Sequence, residues 1–181
     1  YRCYRLYIIR TQDNNPVIVN EFNLWPASSL NDSSQFVASN QDGNSPANAN
    51  ASGTDALPTM TSNSFGGVVM AASAETAPAW YAADKQGGGR YWQANPAPTT
   101  AAPQWLRMDF GAATPKTIAA YNIQNYYAGN NYQPSDFILQ ASSDTATCSA
   151  SGTAWTALDT EQGITWTVAN DTKTFYVPQS K

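Results

Sequence analysis

Residues 105–111 read Trp-Leu-Arg-Met-Asp-Phe-Gly, and their alternation decides the fold class. In an extended chain successive side chains point to opposite faces. Leu106, Met108 and Phe110 therefore share one face, predicted to be buried, while Arg107 and Asp109 share a wet one. Gly111 ends the strand. Outward from it, short apolar runs recur at 67–71, 118–123, 137–141 and 174–177. Clusters of Gly, Pro, Asn or Ser separate them at the spacing of a β-sandwich. Only 77–85 offers a helical turn, so the expectation is an all-β domain.

Composition narrows the class further. A chain of 181 residues, 42% of them hydrophobic, with six Trp, ten Tyr and six Phe, has bulk enough for one core. Charged residues make up only 12%, against roughly 25% in an average soluble domain. The polar surface must then be Asn, Gln, Ser and Thr, a balance that points to an extracellular, cell-surface or virion setting. Nine Lys and Arg and a net charge of −4 argue against nucleic acid, which needs a clustered basic face. No apolar run reaches the length of a membrane span, so no membrane insertion is expected. With no histidine and no Cys-x-x-Cys pair, zinc sites and Ser-His-Asp or Cys-His machinery are excluded. Gly87-Gly88-Gly89 lacks the Lys-Ser/Thr of a phosphate loop. Cys3 and Cys148 allow one disulfide, within the chain or between chains.

Residues 1–26 read as a β-hairpin. Tyr4, Leu6 and Ile8 alternate with Arg5, Tyr7 and Ile9; Asp13-Asn14-Asn15-Pro16 makes the turn; Val17 to Trp25 returns. Residues 27–56 are rich in Ser, Asn, Ala and Gly and read as a linker. Residues 57–181 form the strand-rich body. Trp92, Trp105, Trp155 and Trp166 are assigned to its core.

Five stretches in order carry a family resemblance: FGGVVMAASAETAPAWYAADKQGGGRYWQ (65–93), PQWLRMDFG (103–111), YNIQNYYAGNNYQPSDFILQASSD (121–144), TAWTALDT (153–160) and ITWTVANDTKTFYV (164–177). Together they resemble the discoidin, or coagulation-factor C-type, galactose-binding-like domain, as found in carbohydrate-binding modules and phage tail or fibre proteins. The resemblance implies a jelly-roll β-sandwich whose final two strands, here resembling YRCYRLYII and VIVNEFNLW, come first in the chain. The domain is then circularly permuted, or its hairpin completes a neighbouring copy of itself, or the hairpin is the tail of a preceding repeat. An unfilled sheet edge would be costly, so completion in some form is expected.

The resemblance also implies site residues. A structural calcium ion would take Asp84 and Glu21, with carbonyls near Ala83, Gln86 and Gly89 making up its oxygen shell. Ala83, Lys85 and the glycine run depart from the family pattern, and Lys85 could supply the positive charge in place of a metal. The alternative reading makes Glu21 an exposed strand carboxylate and Asp84 a turn cap. Glycan recognition needs flat rings and fixed polar groups. Tyr126, Tyr127, Asn130, Asn131 and Tyr132 supply them in one loop, and Trp80, Tyr81, Arg90, Tyr91 and Asn95 in a second. The expected function is a non-catalytic glycan-binding or adhesion module that is not an enzyme. The alternative is a structural subunit of a fibre, capsid or tail decoration built by strand exchange.

Overall fold

The structure, a computed structural model, describes residues 1–27, 54–87, 89–126, 132–149 and 153–178. Among the described residues eleven strands run β1 (Cys3–Thr11), β2 (Val17–Val19), β3 (Glu21–Pro26), β4 (Ser64–Phe65), β5 (Val68–Ala72), β6 (Trp92–Ala94), β7 (Gln104–Asp109), β8 (Ile118–Gln124), β9 (Pro134–Ser142), β10 (Thr156–Glu161) and β11 (Thr172–Tyr176). They form a six-stranded sheet ordered β10-β9-β1-β7-β5-β4, a three-stranded sheet β11-β8-β3, and a small pair β2-β6. The described residues thus form an all-β sandwich of antiparallel sheets.

β1 lies between β9 and β7, antiparallel to both. Its Leu6 stands opposite Leu106 on one side and Leu139 on the other, so three leucines form a cross-strand row on the inward face. All three are fully buried, each worth about 1.5–3 kcal/mol relative to exposure. The facing sheet contributes Phe22, Leu24, Tyr121 and Phe175. Phe175 stacks on Tyr121 at 5.1 Å and meets Phe137 of the large sheet edge-on at 5.3 Å.

The two strands of residues 1–26 do not pair with each other, which corrects the hairpin. β1 joins the large sheet and β3 pairs with β8 in the small one, in register from Glu21 opposite Gln124 to Trp25 opposite Ala120. Alternation identifies a strand but not its partner. Each of the two has an apolar face, and both faces are buried by looking at each other across the core rather than by lying side by side. The chain makes the crossing through Val17–Val19, wholly buried and paired with β6.

Residues 28–53 of the expected linker lie outside the described residues. Its last residues are not free chain: the Ala56 N–H donates to the Leu24 carbonyl at 2.7 Å, and Asp55 Oδ1 accepts from the Leu24 and Leu57 N–H groups. A five-residue helix, α1 (Thr145–Ser149), was absent from the sequence reading. Asp144 caps it by accepting from the Thr147 N–H at 2.6 Å. A disulfide between Cys3 and Cys148 ties it to β1.

Two further expectations change. Arg107 and Asp109 were assigned to a wet face but are only 7% and 8% exposed. Arg2 lies on Asp109 through two hydrogen bonds, at 3.0 and 2.8 Å, and the disulfide brings α1 over the same face. Trp92 and Trp166 are core residues as expected. Trp105 and Trp155 are half-buried on the outer face of the large sheet, where the guanidinium groups of Arg107 and Arg5 lie over their rings. Strand parity explains Trp105: it precedes inward-facing Leu106 and so must point outward.

Candidate functional site

The loop end of the sandwich is built around a 3-10 turn, Ala79–Ala83. Pro78 opens it, and buried Ala79, Ala82 and Ala83 let its backbone press close to the core. The Ala83 carbonyl accepts from the Met60 N–H at 2.9 Å. Asp84 follows, its side chain wholly buried, with Oδ1 accepting from the Gln86 N–H at 3.0 Å. Lys85 and Gly87 both take positive φ, turning the chain back toward β6. The Asp84 carboxylate then meets Arg90, whose Nε stands 3.1 Å from Oδ2.

Arg90 organises the rings. Its guanidinium carbon lies 4.8 Å from the Trp80 ring centre and 4.3 Å from that of Tyr81, and its Nη1 donates to Gln86 Oε1 at 3.1 Å. Trp80 and Tyr81 meet edge-on at 4.5 Å. The next residue, Tyr91, packs on Tyr126 at 4.6 Å, drawing in the end of β8. All four rings are half-buried, presenting part of their surface to solvent. The expected ligand residues thus form two groups joined by the Arg90–Tyr91 peptide: Trp80 and Tyr81 against Arg90, and Tyr91 against Tyr126.

The others fall elsewhere. Asn95 is exposed at the far end of β6, after five residues of largely extended chain from Arg90, a separation on the order of 15 Å. Tyr132 is half-buried and lends its carbonyl to the Ile18 N–H at 2.8 Å. Tyr127, Asn130 and Asn131 lie outside the described residues.

Glu21 and Asp84 do come close. Glu21 is 7% exposed, a buried carboxylate rather than the exposed strand residue of the alternative reading. Its Oε1 accepts from the Gly87 N–H at 3.2 Å. Burial pushes its carboxyl above the usual range; the Gly87 N–H and Lys85 oppose the rise and Asp84 adds to it. Among the described residues three buried oxygens here find no hydrogen-bond donor: Glu21 Oε2, Asn20 Oδ1 and Asp84 Oδ2, the last having only its ion pair with Arg90. Asn20 is anchored through its amide, which donates to Gln124 Oε1 at 2.6 Å. An all-oxygen set with unsatisfied members has the chemistry a hard cation requires. Among the described residues no group of three or more acidic or cysteine side chains gathers anywhere, so such a cation would depend on carbonyls as well.

Sequence reasoning missed the frame behind this site. Lys85 Nζ does not turn to Glu21; it bonds Asp55 Oδ2 and Asn23 Oδ1. Asp55, read as linker, is thereby the strut between the turn and β3. A cavity of about 350 Å³ opens away from the rings, beside Asp159 and Thr160 of β10. There the buried Tyr121 hydroxyl donates to Asp159 Oδ2 at 2.8 Å.

A family model described as NedA-like, galactose-binding domain matches residues 81–179, more than half of the chain. The match takes in Tyr81, Asp84, Arg90, Tyr91 and Tyr126. Neither the curated proteins nor the solved structures yielded a match.

Proposed function

The chain belongs to the NedA-like galactose-binding domain family, and from that premise we propose that it is a non-catalytic module binding a galactose-type sugar at the loop-end ring cluster. One observation carries the reading: Arg90 is fixed by a wholly buried carboxylate, so the two partly exposed rings it lies over, Trp80 and Tyr81, are held in place before any ligand arrives, and the Tyr91–Tyr126 pair follows directly in the chain. Preorganisation of this kind lowers the entropy lost on binding. The apolar C–H face of a sugar ring suits a tyrosine or tryptophan face, and Gln86 and Arg90 offer polar groups beside it.

Calcium belongs to the same reading. Glu21 Oε2, Asn20 Oδ1 and carbonyls near Gln86 and Gly89 would hold the ion, and Arg90 would keep its place on Asp84. The ion would stiffen the turn that presents Arg90 without touching the sugar. The Cys3–Cys148 disulfide supports an extracellular or surface location, because such bonds persist in oxidising compartments. The fibre or decoration reading drew on a strand donated between copies; β1 is hydrogen-bonded on both sides within its own chain, so nothing specific favours it.

Isothermal titration with lactose and with a galactose-terminated glycan tests the proposal. Wild-type protein is expected to bind, and Arg90→Ala or Tyr91→Ala to weaken binding roughly tenfold or more, as loss of a charged or aromatic anchor does. Absence of binding to any galactose-terminated glycan, with the fold intact by circular dichroism, overturns it.

A further inference from the structure

The outer face of the six-stranded sheet holds a second arginine–aromatic cluster, distinct from the loop end in what balances its charge. Arg5 points outward from β1, half-buried. Its guanidinium carbon lies 4.6 Å from the Tyr7 ring centre and 4.1 Å from that of Trp155. Its Nε donates to Gln140 Oε1 at 2.6 Å. Among the described residues Arg5 has no carboxylate partner. The residue opposite it on β7 is another arginine, Arg107. Asp109, two residues along β7 from Arg107, already accepts from Arg2 through both of its carboxylate oxygens. The Trp155 indole, against which Arg5 stacks, has a buried N–H with no acceptor among the described residues. Among the described residues a guanidinium and a buried indole N–H thus stand together here without a carboxylate of their own, in a chain whose net charge is −4.

We propose that this face is a second saccharide site, selective for a carboxylate-bearing sugar of the uronic-acid type, with Arg5 as its anchor. A planar carboxylate matches the guanidinium fork, and the terminal nitrogens of Arg5 are uncommitted. The sugar ring has a seat beside it. Tyr7 stands opposite Trp105 on one side and Ile138 on the other, a row of half-buried apolar groups across three strands. Rigid strands, not loops, carry the row, so a flat and extended chain fits better than a branched one. Burial pushes Arg5 down to about 10; Tyr7 counters the fall and Arg107 adds to it. A bound carboxylate would reverse that cost. The site is independent of the loop-end reading, since no residue is shared.

The test is a nitrogen–proton correlation titration of the intact, oxidised chain with trigalacturonate, and in parallel with a neutral galactose trisaccharide. Trp155→Phe assigns the indole resonance. Trigalacturonate is expected to move the Trp155 indole signal in a saturating way that weakens with added salt, and the neutral sugar to leave it in place. Arg5→Gln should lower affinity for trigalacturonate roughly tenfold or more, and Arg5→Lys by less, because it keeps charge without the fork. Both should leave lactose binding unchanged. An unmoved Trp155 indole in the wild-type protein overturns the proposal without recourse to any variant. So does loss of trigalacturonate binding in Arg90→Ala but not in Arg5→Gln.

Discussion

Arg90 and Arg5 each lie over two aromatic rings, yet only Arg90 faces a carboxylate. Asp84, wholly buried, takes the Arg90 charge and fixes the rings around it. Arg5 has Gln140 and ring faces alone, with Arg107 across the strand. The first guanidinium is spent on building a neutral binding surface; the second retains a charge that the protein does not satisfy. Two clusters of nearly the same composition are therefore expected to prefer opposite ligands, an uncharged sugar at the loop end and an acidic one on the sheet face.

The disulfide separates the two most strongly. It closes a loop of 145 residues, and removing it by Cys3→Ser with Cys148→Ser should cost on the order of 5 kcal/mol in the chain-entropy account. Urea unfolding measures that loss. Since Cys3 is two residues from Arg5, trigalacturonate binding should suffer more than lactose binding. Equal losses at both sites would remove the distinction between them.

Asp84→Asn addresses the loop end. It leaves Arg90 without its counter-charge, at a cost of about 1–3 kcal/mol, held down because the Arg90 side chain is one-third exposed. Lactose affinity should fall with it while the Trp155 indole stays unchanged. If stability falls and affinity does not, Arg90 is a strut and not a ligand anchor.

Glu21→Gln separates metal from sugar. The Glu21 carboxyl is raised by burial, so the folded state holds its proton more tightly than the unfolded one. Its contribution to stability is thus greatest in acid and declines as pH rises from about 4.3, the unfolded value, through the folded one. Without metal the variant should be as stable as wild type or slightly more so at neutral pH, with that decline removed. Calcium should raise the wild-type melting temperature and leave the variant's unchanged. A variant still stabilised by calcium would place the ion elsewhere. Asn95→Ala, at the far end of β6, should change neither affinity by more than about twofold, the scale of a surface substitution.

Strand existence was legible in the sequence because alternation survives without tertiary information: Leu6, Leu106 and Leu139 each announce their inward face. Pairing was not legible, since both β1 and β3 have the same kind of apolar stripe and nothing local says that they face rather than adjoin each other. The ring residues of the loop end were singled out by residue type together with the binding loops that the family resemblance implies. Asp55 was not, because its neighbours are linker-like and its role is fixed by β3 and Lys85, distant in sequence. Arg5 was read as a polar strand position, correct for its orientation and silent on its ring partners, since Trp155 arrives from 150 residues away. The Asp144 cap of α1 was a usable signal that a five-residue helix is too short to advertise.

Central to all this is that a neutral galactoside settles on the rings that Arg90 and Asp84 hold. Titrating methyl β-galactoside into isotopically labelled protein and following the six tryptophan indole signals tests it most directly. The expected result is a saturable shift of Trp80 with the Tyr81, Tyr91 and Tyr126 amides, while Trp105 and Trp155 stay still. Movement of Trp155 with Trp80 unmoved, or no movement at all, would contradict it.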